Sequence, residues 1–251
     1  MRQDISDLAA FYASPLGQAA RDMTLRKVLE SWGDCAGLEV LGSGYAIPIL
    51  AALSDRAIRA VAVMPPEQGA KAWPAAHRNR VALAAEDALP FPNARFDRVL
   101  LVHALEESSQ PEALLREMTR VLAPAGRLIA VAAARNGPWA PFESTPFGHG
   151  RPFSRRQLAE GLRAAGLEPT GWTRALYVPP LPWLAGWAEG FEQAGSRLWP
   201  PLSGLILMEA VKQTLALQPR PERASVRRRT ARRGATVGAS PQPAGRRPAG
   251  A

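Results

Sequence analysis

Between residues 38 and 133 short apolar runs alternate with segments of helical character. The runs are GLEVL, IRAVAVM, RVALA, FDRVLLVHAL and GRLIAVAAA. Each is too short for a helix and too continuously apolar for a strand with one wet face, so each suits a strand covered on both sides. PEALLREMTRVL, between the last two runs, has Pro111 near a helix start and apolar residues at helical spacing. Strands alternating with helices in this way imply an α/β fold with a parallel sheet and helices on both faces.

The flanking segments extend this pattern. Helix signals run from about Gly17 to Trp32, where LRKVLESW is amphipathic and Gly33 is a stop. SRRQLAEGLRAAGL reads as a helix with Ser154 as its N-cap and Gly166 as its C-terminal stop. A strand near EPTGWTRALYV, an insert rich in Pro and Trp, and a final strand at GLILMEAVKQ follow. The expected organisation is a helical N-terminal segment (1–36), a main domain (37–217) with the insert at 179–201 between the last two strands, and a basic tail (218–251).

A content of 47% hydrophobic and 21% charged residues is enough to build a core. The formal charge of +9 is concentrated at one end: residues 218–251 hold nine arginines and one glutamate, so +8 falls there. That tail has almost no large apolar residues and is expected to be disordered. It is either a solvated extension or a weak electrostatic arm for nucleic acid or an anionic membrane. The one cysteine, Cys35, allows no internal disulfide. With no secretory signal at the N-terminus and no stretch of the ~18 apolar residues a spanning helix needs, a cytoplasmic location is expected.

LEVLGSGYA places a glycine turn directly after the first strand, where open α/β sheets bind ligands. Gly42 and Gly44 leave room for a ligand, and a helix starting near Tyr45 would aim free N–H groups at a carboxylate or phosphate. A Gly-x-Gly turn also arises from tight packing alone. No Gly-x-Ser-x-Gly elbow and no phosphate-binding Gly-Lys-Ser/Thr loop occurs, and the three histidines and lone cysteine lack metal-ligand spacing.

An ordered set of motifs adds context: Leu89-Pro90-Phe91, Phe96-Asp97, His103-Ala-Leu-Glu106, Arg116-Glu117, Arg120-Val121-Leu122, Pro124-Ala125-Gly126-Arg127-Leu128 and FGHGRPFSRRQLAEGLRAAGLEP. From Leu38 to Val211 the chain resembles the class I S-adenosylmethionine-dependent methyltransferases of the type 11 branch. Its GSGYAIPIL, VMPPEQGAKAWP and FGHGRPFSRRQL are similar to a bacterial subgroup in which Tyr45, Met64-Pro65 and Trp73 are ordinary features. The resemblance implies a Rossmann-like fold with a seven-stranded, mostly parallel sheet, and S-adenosylmethionine as cofactor. It implies cofactor contacts at Gly42, Ser43, Gly44, Tyr45, Met64, Glu86, Asp87, Ala88 and Leu105, with Phe91 as a second apolar contact for the adenine ring.

Three acids usual in that family are absent or displaced. Val40 stands two residues before the first turn glycine, Met64 stands at the ribose position, and Glu86 and Asp87 replace an acid expected near Ala85. Each missing charge-assisted contact, worth ~1.5–3 kcal/mol, would weaken affinity by about one to two orders of magnitude. His103 and His149 are the candidate bases; the alternatives are a packed rim residue for His103 and a loop anchor for His149, with Arg151 either binding an anion or bracing the loop. Trp183, Trp187 and Trp199, with Phe191, form a lid, dock on a membrane interface, or cover the sheet edge, the last being the leading expectation. The function expected is methyl transfer to a small-molecule or lipid-like acceptor. The alternatives are a catalytically silent binding module, or nucleic-acid or anionic-surface binding through the tail.

Overall fold

The structure is a computed structural model and describes residues 2–75 and 78–213. The arginine-rich tail and His77 lie outside the described residues.

Two helices come first, α1 (Ile5–Ala13) and α2 (Pro15–Trp32). The sequence signals predict only the second. Asp4 caps α1 by accepting from Ser6 N–H, and Ser14 caps α2 by accepting from Gly17 N–H with Pro15 directly behind it. Strands β1 (Glu39–Gly44), β2 (Arg59–Met64), β3 (Val81–Leu83), β4 (Phe96–Val102), β5 (Leu122–Ala133), β6 (Leu167–Ala175) and β7 (Leu205–Lys212) form one sheet. Helices α3 (Ile47–Ser54), α4 (Pro111–Val121), α5 (Arg155–Ala164) and α6 (Ala188–Leu198) complete the described elements, with short 3-10 turns among them.

The strand order is β3-β2-β1-β4-β5-β7-β6, with β7 antiparallel to both neighbours and the remaining pairs parallel. Strand order therefore reverses between β1 and β4, opening a crevice at their carboxyl ends. Alternation along each strand builds two core layers. Val40, Leu100 and Val102 join α1, α2 and α3 in one; Leu41, Val99 and Leu101 join α4 and α5 in the other. The α5 cap is reciprocal: Ser154 Oγ accepts from Gln157 N–H, and the Gln157 side chain accepts from Ser154 N–H.

Two local expectations change, and the start of β5 is irregular. The helix after the first turn begins at Ile47 and not near Tyr45, because Tyr45 N–H donates to Val102 O at 2.8 Å and continues the sheet. Pro124-Ala125-Gly126 is part of an irregular start to β5, with Ala125 at φ 59° and a register break opposite Phe96–Arg98. The tryptophans of the insert do not cover the sheet edge. Leu184, Ala185, Ala188 and Phe191 pack inward in their place, while Trp183, Trp187 and Trp199 face outward.

Candidate functional site

The first turn is built by backbone approach. A Cβ on Gly42 would lie 2.7 Å from Ala46 Cβ, so this glycine and the alanine at the third glycine position jointly seat α3. Gly44 sits at φ +76°, and a Cβ there would run into the Val102 carbonyl oxygen. Both glycines are thus required by packing, whatever the turn binds. Ser43, Tyr45 and Met64 are buried, and Met64 belongs to the core.

The N-terminal segment crosses the carboxyl ends of the strands. Arg2 Nη2 reaches Glu86 Oε1 at 2.7 Å, Gln3 N–H donates to Glu107 Oε2 at 2.8 Å, and Ile5 N–H donates to Gln68 O at 2.9 Å. Further along α1, the Tyr12 ring lies 5.6 Å from Tyr45 and 5.8 Å from His103, centroid to centroid, and fills the β1/β4 crevice. Tyr12 Oη is 2.9 Å from His103 Nε2. The Phe147 ring lies 4.6 Å from the His103 ring, tilted against it.

His103 is consequently buried from solvent and lines neither of the cavities described below. It is buried at the end of β4 with φ 51°, a left-handed conformation that histidine enters more readily than most residues. Burial pulls its pKa down to about 3, so the ring is neutral at physiological pH. Desolvation also raises the Tyr12 hydroxyl pKa, keeping its proton in place. With His103 protonated on Nδ1, Tyr12 donates to Nε2.

Two cavities flank this segment. One, of about 390 Å³, is lined by Arg2, Glu67, Ala85, Glu86, Asp87 and Glu107, with Ser109 and Gln110 at its margin. Among the expected cofactor contacts it brings together Glu86 and Asp87, with Ala88 exposed just beyond. Leu105 turns into the opposite core layer with Leu114 and Leu158, so it does not meet Tyr45 or Met64. Phe91 packs edge-on against Phe96 at 5.1 Å, in that same layer. Glu67, Glu107 and Arg2 were not anticipated: Glu107 lies beside the His103–Glu106 motif, but nothing in the sequence marks Arg2.

The loop carrying Glu86 and Asp87 is held from below by motif residues. Leu89 N–H donates to Glu117 Oε1 at 2.7 Å, while Arg120 donates to Leu89 O (3.1 Å), Phe91 O (2.8 Å) and the Glu117 carboxylate (2.6 Å). Leu-Pro-Phe, Glu117 and Arg120 therefore act as one bracket. Asp97 accepts from Glu39 N–H at 2.9 Å at the other end of the sheet, an anchor far from the crevice.

The second cavity, of about 760 Å³, lies between α1, residues 143–149 and Pro180/Pro182. Its apolar walls include Phe11, Leu16, Pro146 and Pro182, and His149 stands at its edge. His149 Nε2 donates to Glu143 O at 2.6 Å, leaving Nδ1 as an acceptor. The loop is fixed by Arg151 N–H donating to Glu106 O at 2.8 Å, and Gly150, at φ +76°, lies where any Cβ would strike that carbonyl. Arg151 thus braces the loop through its backbone. Glu106 Oε1 accepts from Ala133 N–H at 3.0 Å, and burial pushes its carboxyl up to about 7.

Around the smaller cavity and the N-terminal crossing, Glu106 Oε2, Glu107 Oε1, Arg2 Nη1, Gln3 Oε1 and both polar atoms of Gln68 are buried without a partner among the described residues. Buried groups of this kind normally meet a hydrogen-bonding ligand or water. Of these residues, Arg2 and Glu107 line the smaller cavity and bring a donor and an acceptor to its wall. Tyr45 is buried, with the Tyr12 ring packed beside it.

Residues 38–130 match the family described as "Methyltransferase domain", a stretch that holds all nine expected cofactor contacts. A 69-residue segment is 45% identical to demethylmenaquinone methyltransferase of Beutenbergia cavernae, covering 27% of this chain and 28% of that enzyme's length. A methyltransferase of Thermotoga maritima, described as a possible histamine N-methyltransferase, superposes with TM-score 0.57 at 16% identity, over 83% of this chain and 96% of the other. The [4+2]-cyclase SpnF superposes with TM-score 0.55 at 23% identity, over 78% of this chain and 82% of its own. Residues 38–130 are thus similar to methyltransferase domains, and the sheet they help build has the fold of class I S-adenosylmethionine-dependent methyltransferases. S-adenosylmethionine is the cofactor of that class.

Among the described residues no helix is long and apolar enough to cross a membrane.

Proposed function

We propose that the chain transfers a methyl group from S-adenosylmethionine to a small-molecule or lipid-like acceptor. The observation that carries this reading is the 390 Å³ cavity at the strand ends, whose Glu86 and Asp87 lie inside the matched methyltransferase domain. Its volume falls within the range of small-ligand pockets, about 300–1,000 Å³. Glu86 and Asp87 accept from the hydroxyls or amine of the adenosine half, with Ala88 alongside. Arg2 holds Glu86 in place.

The cofactor supplies an electrophilic methyl on a sulfonium, and catalysis then consists mainly of aligning the acceptor with it. The larger cavity is the acceptor side. Its apolar walls favour an apolar molecule, and His149 Nδ1 takes the acceptor's proton when there is one to remove. The name of the Beutenbergia relative is consistent with an apolar acceptor. The fold also serves a cyclase, so the fold alone does not fix the chemistry.

A second reading, a methyltransferase-like binding module without turnover, is favoured by the Tyr12 ring in the β1/β4 crevice. Calorimetric titration with S-adenosylmethionine and S-adenosylhomocysteine tests both. Saturable heat is expected, weakened about tenfold or more by Asp87→Asn. No heat at millimolar cofactor overturns the enzyme reading, whereas binding without methyl transfer to any apolar acceptor supports the silent module.

A further inference from the structure

We infer that the insert between β6 and β7 is a docking surface for an anionic lipid membrane. This inference stands independently of the proposed methyl transfer.

The insert is anchored firmly on one side. Ala188, Glu192 and Gly195 of α6 are buried, and the Glu192 carboxylate accepts the N–H groups of Leu176 (3.0 Å) and Tyr177 (3.1 Å). Its outward surface carries large apolar side chains. Trp183 is 73% exposed, Trp187 71%, Leu198 66%, and Trp199 and Leu202 53% each. Single exposed apolar residues are ordinary, but five within one short insert mark a contact surface.

The pattern along α6 gives that surface a direction. Trp187, Gly190, Ala194 and Leu198 succeed one another at three- and four-residue steps and so share one flank. A Cβ at Gly190 would meet nothing within 4 Å, so the flank is open at that position. The other exposed flank carries Glu189, Gln193 and Ser196, with Glu189 paired to Arg26 at 2.6 Å. A rigid helix with one apolar flank, tryptophan at one end and Leu198-Trp199 at the other has the form of an element lying in a membrane interface.

Charge selects the lipid. Arg197 borders the flank, and residues 218–251 add nine arginines against one glutamate. Each basic residue near an anionic leaflet strengthens attachment, while the inserted rings set depth. A protein partner for such a face would not by itself account for that excess of arginine.

The test uses the full chain with phosphatidylcholine vesicles, alone and mixed with phosphatidylserine. Co-sedimentation with the mixed vesicles is expected, falling at least tenfold with pure phosphatidylcholine or at high salt. Tryptophan emission should be quenched by brominated lipid. Trp183→Ser/Trp187→Ser should lower binding at least tenfold with an unchanged melting temperature, since those rings are largely exposed. Substituting Arg227, Arg228 and Arg229 by Gln should lower it several-fold. Absence of binding to mixed vesicles overturns the inference. So does binding that survives the tryptophan substitutions, which would assign it to the arginines alone, and so does binding to RNA without binding to vesicles.

Discussion

Tyr12 and His103, 91 residues apart, meet through a 2.9 Å contact between hydroxyl and imidazole Nε2 at the point where strand order reverses. Tyr12→Phe would leave the buried His103 nitrogen unpartnered, at a cost of about 1–3 kcal/mol in urea unfolding. Tyr12→Ala would cost more, about 3–5 kcal/mol, but would empty the crevice. Cofactor affinity per folded molecule should then rise several-fold by calorimetry. Unchanged affinity would place the cofactor beside the ring and not in its space.

His103 and Glu106 give opposite pH dependences. The His103 pKa is about 3 in the fold against 6.5 unfolded, so the unfolded chain binds more protons between those values and stability falls as pH drops through them. Glu106 stands at about 7 against 4.5, so the fold binds more protons in that window and stability falls as pH rises through it. Between 4.5 and 6.5 the two slopes offset. Urea midpoints followed from acid to neutral pH should show the His103 loss alone below 4.5 and the Glu106 loss alone just below 7. His103→Gln should remove the first and Glu106→Gln the second.

Gly44→Ala is expected to destabilise by about 2–5 kcal/mol, combining a strained positive φ with a clash at Val102 O. The loss should appear in thermal unfolding without cofactor. A stable Gly44→Ala protein that merely fails to bind would show that the turn is shaped by its ligand and not by β4.

Arg120→Ala removes the bracket under the Glu86-Asp87 loop without touching either cavity. It should cost about 1–3 kcal/mol of stability. It should also weaken S-adenosylmethionine by several-fold, measured well below the melting temperature. Loss of stability with full affinity would show that the loop holds its own shape.

The motifs were legible where chemistry is local. Leu89-Pro90-Phe91, Glu117 and Arg120 stood out as a group, yet their linkage emerged only when α4 was placed beneath the loop. Glu86 and Asp87 were recognised as displaced acids and do line a cavity. His103 was recognised as a strand-end residue, but its burial depends on α1, whose helical signal the sequence reading missed. The insert tryptophans were expected to cover the sheet edge, because their order alone does not say which side of α6 faces inward.

The sequence by itself determined the alternation of strands and helices, the cap at Ser154, and the family resemblance. These rest on side-chain periodicity and on hydrogen bonds within a few residues. Only the tertiary structure decided that Tyr12 closes the β1/β4 crevice, that Gly44 yields to Val102, and that the tryptophans stand outward. Those facts depend on surfaces brought together from distant parts of the chain, and no spacing along it encodes which will meet.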